Sequence, residues 1–506
     1  MLTRRWLRPD VLIPLLAVVV RLLPGPREID DAFITFRYAR NFLSGHGLVF
    51  NPGEPVFGIT TPLFVGALIL LALLTGGAEA PFSWLALGLS SAADAGTCWL
   101  LLRIGEMLGS RTAGTLAALV WAVSPMSVTF AIGGMETSLF VLLLAATLYF
   151  HLKRQPVRSA WSAGLSLVTR PDGILIALPV ALDRLREWVR QRPPAERSAQ
   201  RPIVEAMAFL APVVVWSILA TGAYGSPIPH SVVAKAAAYH LPREAALVRL
   251  LQHISTPFIE HEVLGLGWIA VGLVLYPALF GLGVAAALRR RRESWPLFAF
   301  PLLYLAAYAI ANPLIFRWYL APPLPFYFVG IFLGVDRLAR DLRWPALSWI
   351  FGAAAFVLTL HAWTLVPDHG PRRPAPDMAF IRLEMVYGEA GRSLAPRLAP
   401  GDVVAAGDIG VLGFVTDARI LDLVGLVSPS SAAYYPLPDA AYVINFAASS
   451  DLIADEQPDY VVLLEVYGRR TLLVDPRFLA DYELIETLPT DLYGSEGMLI
   501  YHRLDS

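Results

Sequence analysis

Long apolar stretches recur from residue 11 to residue 366, and this pattern limits the fold more than any other feature. VLIPLLAVVVRLLPG (11–25) is the first, and further runs cover 61–75, 82–102, 112–130, 137–151, 203–222, 263–288, 295–312, 319–335 and 345–366. A shorter pair at 160–169 and 172–185 reads as a helical hairpin. In hydrocarbon each backbone N–H and C=O must be satisfied within the protein, which leaves helices or closed barrels. Runs approaching the roughly 20 residues of a bilayer crossing favour helices. The expectation is a polytopic α-helical membrane protein with about eleven to thirteen spans. Composition agrees, since 56% of the 506 residues are hydrophobic and 16% are charged, against about a quarter charged in soluble domains. The single cysteine, Cys98, lies inside an apolar run and excludes an intramolecular disulfide framework.

Charge blocks orient the runs. The basic start MLTRRWLRPD places the N-terminus in the cytoplasm, and the first run reads as a retained helix with Arg21 snorkelling. The loop 28–62 then lies outside. Basic blocks at 151–158, 183–201, 289–292 and 336–343 are expected inside, and 221–235, 312–319 and everything after 367 outside. Between 61 and 102 the parity of crossings does not close. After 367 the composition changes: Pro-rich PDHGPRRPAPD reads as a linker, followed by strand-like DVVAAGDIG and DYVVLLEV, helical MAFIRLEMVYGEAGRSLA and a terminal hairpin, LIETLPTDLYGSEGMLIYHRL. The division expected is a membrane domain over 1–366 and a soluble extracytoplasmic α/β domain over 367–506. No internal repeat is visible, which argues against a transporter built from repeated halves.

Polar chemistry gathers on the outside face. Asp30 and Asp31 follow the first run directly. A carboxylate there can act as general base toward an attacking hydroxyl. Two adjacent acids in a partly dry site repel, so one has a raised pKa or a divalent cation sits between them. The structural alternative is a pair capping a helix that begins at Ala32. Arg37 and Arg40 follow on DAFITFRYARNFLSG, an interfacial helix pattern; Arg37 is a candidate for pairing with the acids or a ligand, and Arg40 reads as an anchor. Glu136 in GGMETS and Arg170 with Asp172 in TRPDG are ionisable groups among apolar ones, which usually face a cavity or a partner. A local Arg170–Asp172 pair and a helix N-terminal charge at Glu136 are the structural alternatives. His230 and Lys235 in YGSPIPHSVVAK and Arg317 in FRWYLAPPLP are candidates for holding a lipid phosphate, against plain snorkelling. No nucleotide-phosphate loop, dinucleotide fingerprint or zinc spacing occurs, and nothing points to nucleic acid. GDIGVLG (407–413) reads as a tight packing element.

DDAFITFRYARNFLSGHGLVFNPGEPVFGITTPL, GGMETSLF, TRPDG, YGSPIPHSVVAK, FRWYLAPPLP and GDIGVLGFVTDARILDLVGLVSP occur in this order. Together they resemble the GT-C glycosyltransferases, in the branch like the mycobacterial terminal β-(1→2) arabinofuranosyltransferase. The chain departs at Phe57-Gly58-Ile59-Thr60, where the family commonly has Glu-Gly-Tyr-Thr. It departs again at Asp172, where the family has Glu, and at His230, where Asn is common. The resemblance implies a transferase of the bacterial cytoplasmic membrane, taking a sugar from a polyprenyl-phosphate donor to a glycan or lipid acceptor on the outer face. It carries the family's catalytic acid onto Asp30 or Asp31. Reaction would invert the sugar carbon, with Lys235, Arg317 and Arg37 stabilising the departing phosphate. A flippase for lipid-linked sugar and a catalytically silent scaffold are the other readings.

Overall fold

A computed structural model describes residues 8–190, 200–362 and 379–504. The basic N-terminal residues 1–7, part of the 183–201 block and the whole Pro-rich linker at 367–377 lie outside the described residues. The described chain divides into two compact units: Met1–Pro26, Ala86–Val215 and Arg243–Pro367 form one, and Arg27–Leu85, Trp216–Pro242 and Asp368–Ser506 the other.

The first unit is helical. Among the described residues four helices are long and apolar enough to cross a membrane: Phe82–Met107, Pro202–Tyr224, Trp268–Arg290 and Arg292–Ala311. The run expected at 112–130 is cut into Arg111–Val123 and Pro125–Ile132, bent by 44°. Proline is the cause. Ser124 is extended, as a residue preceding proline prefers, and Pro125 opens the next helix, where its missing N–H costs nothing. Thr137–Leu152 and Ala346–His361, and Pro62–Leu73 in the second unit, are shorter apolar helices that fill the runs expected at 137–151, 345–366 and 61–75 over the described residues. The expected hairpin pair forms as Pro156–Thr169 and Ile174–Arg190 around a 3-10 turn, Pro171–Gly173. Only 6% of the apolar window of Pro202–Tyr224 is buried in protein. A helix that presents apolar side chains all round needs lipid rather than water as its solvent.

Small residues set two close helix crossings in this unit. A Cβ at Gly105 would lie 2.4 Å from Gly114 Cα, and one at Gly283 would lie 1.9 Å from Gly330 O. Such contacts are available only to glycine and are the usual device of membrane helices. Arg21 does not snorkel. It is fully buried, with Nε donating to Asp94 Oδ2 at 2.9 Å and Nη1 to the carbonyls of Ala17 at 2.7 Å and Ala122 at 3.0 Å. Asp94 also accepts from Trp121 Nε1 at 3.1 Å and Ser138 Oγ at 2.7 Å. With helical neighbours supplying every partner, the side chain has no need to reach the interface.

The second unit contains a five-stranded sheet: β1 Val403–Ala406, β2 Arg419–Asp422, β3 Tyr460–Leu464, β4 Tyr482–Leu488 and β5 Met498–Arg503, in the order β2-β1-β3-β5-β4. β1 runs parallel to β2 and β3, whereas β5 is antiparallel to β3 and β4. All of β3 is buried, as its unbroken VVLL run requires of a strand covered on both faces. The two strand-like segments and the terminal hairpin expected from sequence are thus formed. The helix Ala379–Leu394 occupies the expected helical stretch.

Candidate active site

In the second unit the helix Asp30–Leu43 begins at the acidic pair itself, with Ile29 as its cap residue and no side-chain capping bond. The structural alternative, a pair capping a helix that begins at Ala32, is therefore not what forms. The two acids have different surroundings. Asp30 is 4% exposed, and its carboxylate accepts main-chain N–H bonds from Gly410 at 2.9 Å and Val411 at 2.8 Å. Gly410 has to be glycine, because a Cβ there would stand 1.8 Å from Asp30 O. Burial pushes the Asp30 carboxyl up to about 7, against the Val411 bond, with the Asp31 charge adding to the rise.

Asp31 points elsewhere. Its side chain is 32% exposed and faces Lys235 Nζ at 3.7 Å. Lys235 sits on the helix His230–Ala238, whose entry is fixed by Pro229 and by His230 N donating to Phe57 O at 2.8 Å. Phe57 stacks on Tyr224 with centroids 5.0 Å apart and meets Trp216 edge-on at 5.6 Å. The position where the chain departs from the family motif is thus an aromatic clasp between the first loop and the 216–242 segment. His230 Nε2 is buried and makes no hydrogen bond among the described residues.

Asp408 belongs to the same cluster and was not singled out from sequence. It follows β1 in the GDIG segment and takes a long contact, 3.4 Å, from the Tyr467 hydroxyl. Burial raises its carboxyl well above the usual range, the Asp30 and Asp31 charges add to this, and the Tyr387 and Tyr467 hydroxyls oppose it. The available signal was an acid inside a glycine-rich turn between a strand and a helix. Reading GDIGVLG as packing was right for Gly410 but overlooked Asp408.

Arg37 is not turned to the acids. It is 1% exposed, its Nη2 donates to Ala418 O at 2.7 Å and its guanidinium lies 4.3 Å over the Phe50 ring. Burial lowers its pKa to about 10. Arg40, expected as an interfacial anchor, pairs with Asp417 and lies 4.1 Å over Phe414. Among the described residues no group of three or more His, Cys, Asp or Glu side chains is arranged to hold a metal ion.

The first unit brings together Glu136, Arg170 and Asp172. Arg170 is buried and bidentate to Asp172, with Nε to Oδ1 and Nη2 to Oδ2 both at 3.0 Å, and its Nη1 reaches Glu136 Oε1 at 3.2 Å. Asp172 Oδ2 also accepts from Tyr304 at 2.9 Å and Tyr308 at 3.1 Å. Arg170 lies 4.9 Å over Tyr319 and 5.2 Å over Phe140. The expected local pair is present, extended by Glu136 and an aromatic cage. Arg317 is exposed at the start of the turn Arg317–Tyr319. It lies near Arg249, whose pKa is lowered by burial and by the Arg317 charge. Arg249 gave no signal in the sequence because it sits within an ordinary amphipathic helix, Ala245–Ser255.

A family model described as a domain of unknown function (DUF8728) matches residues 379–501. The terminal β-(1→2)-arabinofuranosyltransferase of Mycobacterium tuberculosis is 30% identical over 230 residues, covering 41% of this chain and 35% of that protein. The match therefore spans about a third of the curated relative. Among solved structures, ArnT from Cupriavidus metallidurans bound to undecaprenyl phosphate matches with a TM-score of 0.56 at 12% identity, over 98% of this chain and 97% of that one. The Archaeoglobus fulgidus oligosaccharyltransferase in complex with Zn and sulfate gives 0.56 at 13% identity, over 98% and 73%. Arabinofuranosyltransferase AftD from Mycobacteria gives 0.53 at 16% identity, over 99% and 40%. At such identities the likeness is one of fold: the chain has the polytopic helical GT-C architecture with an appended α/β sheet domain.

Proposed function

We propose that this chain is an inverting membrane glycosyltransferase that moves a sugar from a polyprenyl-phosphate donor to a hydroxyl of an envelope glycan, glycolipid or protein. Support comes from the shared fold, from the arabinofuranosyltransferase relative and from the undecaprenyl phosphate held by ArnT. The observation that carries the assignment of roles is the divergence of the two acids. A general base needs a carboxylate oxygen within reach of the acceptor proton. Both Asp30 oxygens already accept main-chain bonds, whereas Asp31 is partly open beside Lys235.

Asp31 is accordingly the base. It takes the acceptor proton as the acceptor oxygen bonds to the anomeric carbon, and the bond from that carbon to the phosphate oxygen breaks. Polyprenyl phosphate leaves with the electron pair, and the Lys235 ammonium offers it positive charge. In the other unit the Arg249–Arg317 pair is suited to a lipid phosphate. Glu136, Arg170 and Asp172 occupy one another and hold helices together rather than substrate. We place the protein in the bacterial cytoplasmic membrane, residues 1–366 as the membrane domain and 367–506 as an extracytoplasmic domain, with the reaction on the outer side.

The test is reconstitution in proteoliposomes with a panel of radiolabelled polyprenyl-phosphate sugars, following labelled glycan and released polyprenyl phosphate. Asp31→Asn is expected to lower transfer by about 10²–10⁴-fold while the protein remains inserted and monodisperse. Undiminished transfer by Asp31→Asn would overturn the assignment. Lipid movement without sugar transfer in the wild type would favour the flippase reading instead.

A further inference from the structure

The first unit contains two adjoining cavities that the proposed reaction does not use. One, of about 450 Å³, lies among the helices Pro156–Thr169, Ile174–Arg190 and Gln200–Tyr224. Its walls are mainly apolar, with Ala163, Ala177, Leu178, Ala181 and Phe209 among them. A second, of about 380 Å³, has Arg154, Arg184, Arg186, Arg190 and Arg292 in its wall. Those five arginines face three carboxylates, Asp183, Glu187 and Glu293. Arg184 and Glu187 line both cavities, so a mainly apolar cavity borders a net-positive one.

The arginines are not equally committed. Arg184 is bound to Glu205 at 2.8 and 3.0 Å and also pairs with Glu187. Arg154 is held loosely, 3.3 Å from Glu187 and 3.4 Å from Glu293. Arg186 lies 5.2 Å over the Trp295 ring, which leaves its donors at the edge of the cavity. The Trp295 indole nitrogen is itself fixed by Asp183 at 2.5 Å. Arg190 and Arg292 pair with no carboxylate among the described residues, and both are exposed.

We propose that the two adjoining cavities together bind an anionic glycerophospholipid of the bilayer, with an acyl chain in the apolar cavity and the headgroup phosphate on Arg186, Arg190 and Arg292. The charge excess selects an anion, the Trp295–Arg186 stack marks headgroup depth, and the apolar cavity falls within the roughly 300–1,000 Å³ usual for ligand pockets. A zwitterionic lipid would leave the surplus positive charge unmatched. The site stands independently of the sugar-transfer reading, because it shares no residue with Asp31 or Lys235.

The experiment is native mass spectrometry of the full chain released from nanodiscs containing equal phosphatidylglycerol and phosphatidylcholine, with and without added polyprenyl phosphate. Wild type is expected to retain phosphatidylglycerol preferentially. Arg190→Glu and Arg292→Glu should each weaken that retention by about fivefold, and Ala181→Trp should reduce it by filling the slot. Arg337→Glu, a reversal outside both cavities, should change nothing and controls for surface charge. Equal retention of both lipids, or undiminished phosphatidylglycerol in both arginine variants, would overturn the proposal. So would displacement by equimolar polyprenyl phosphate, which would assign the slot to that lipid. A wild type retaining no lipid would leave the slot to a segment of the chain itself and overturn it equally.

Discussion

Asp30 and Asp31 show how neighbouring residues of one type acquire different chemistry. Both were legible as a pair because acids directly after an apolar run are costly unless used. Their separation was not legible, since the groups that engage Asp30 come from Gly410 and Val411, far along the sequence. The difference has a pH signature. An acid whose folded pKa is raised from 3.8 to about 7 is protonated more in the folded than in the unfolded state between those values. The native state then binds more protons, so its stability falls as pH rises from about 4 to 7 and levels off above. Asp422, raised to about 6 by burial, acts in the same direction over part of that window. Melting temperature measured from pH 4.5 to 8 should decline in wild type and decline less in Asp30→Asn, which has no carboxyl to ionise there. A steeper decline in the variant would contradict the buried-acid assignment. Gly410→Ala should lower the melting temperature at every pH, because its Cβ would stand 1.8 Å from Asp30 O and overpacking typically costs about 1–3 kcal/mol.

Helices and strands were legible to different degrees, for physical reasons. Apolar runs signal burial in lipid or protein but do not say where a helix ends, and Pro125 divides one run into two helices bent by 44°. Strand-like DVVAAGDIG and DYVVLLEV carried a clearer signal, because short β-branched runs bounded by acids and turns leave few alternatives. Arg21 misled in an instructive way. An arginine near the end of an apolar run usually reaches for water, and only the three-dimensional approach of Asp94, Trp121 and Ala122 shows it fully satisfied inside. That network joins the helices Pro9–Leu22, Phe82–Met107, Arg111–Val123 and Thr137–Leu152. Arg21→Leu alone strands the Asp94 charge and should destabilise by about 3–5 kcal/mol, whereas Arg21→Leu with Asp94→Leu should cost much less. Denaturant titration in detergent of the two single variants and the double one measures this. Equal losses for Arg21→Leu and the double variant would mean that the pair contributes little as a pair.

The whole molecule poses the question of which side each polar cluster faces, and charge alone proposes the answer. Basic RRRR at 289–292 belongs inside by the positive-inside rule, and NPLIFRWY at 312–319 lies one crossing later. The helix Arg292–Ala311 between them is long and apolar enough to make that crossing. By the same rule the next helix, Leu324–Asp341, is expected to end inside at the basic block 336–343, and Ala346–Ala362 is expected to run outward. Cys98 is buried and is the chain's single cysteine, so a membrane-impermeant thiol reagent should leave the wild type nearly unlabelled. Introduced cysteines then report sidedness directly. Leu314→Cys and Asp439→Cys should label in intact cells, whereas Arg292→Cys should label only after the membrane is permeabilised. Labelling of Arg292→Cys in intact cells would invert the topology and place Arg317 on the cytoplasmic face, where a donor could be nucleotide-linked. The polyprenyl-phosphate reading depends on the opposite result, because an outer-face site without a nucleotide motif needs a sugar already carried across by lipid.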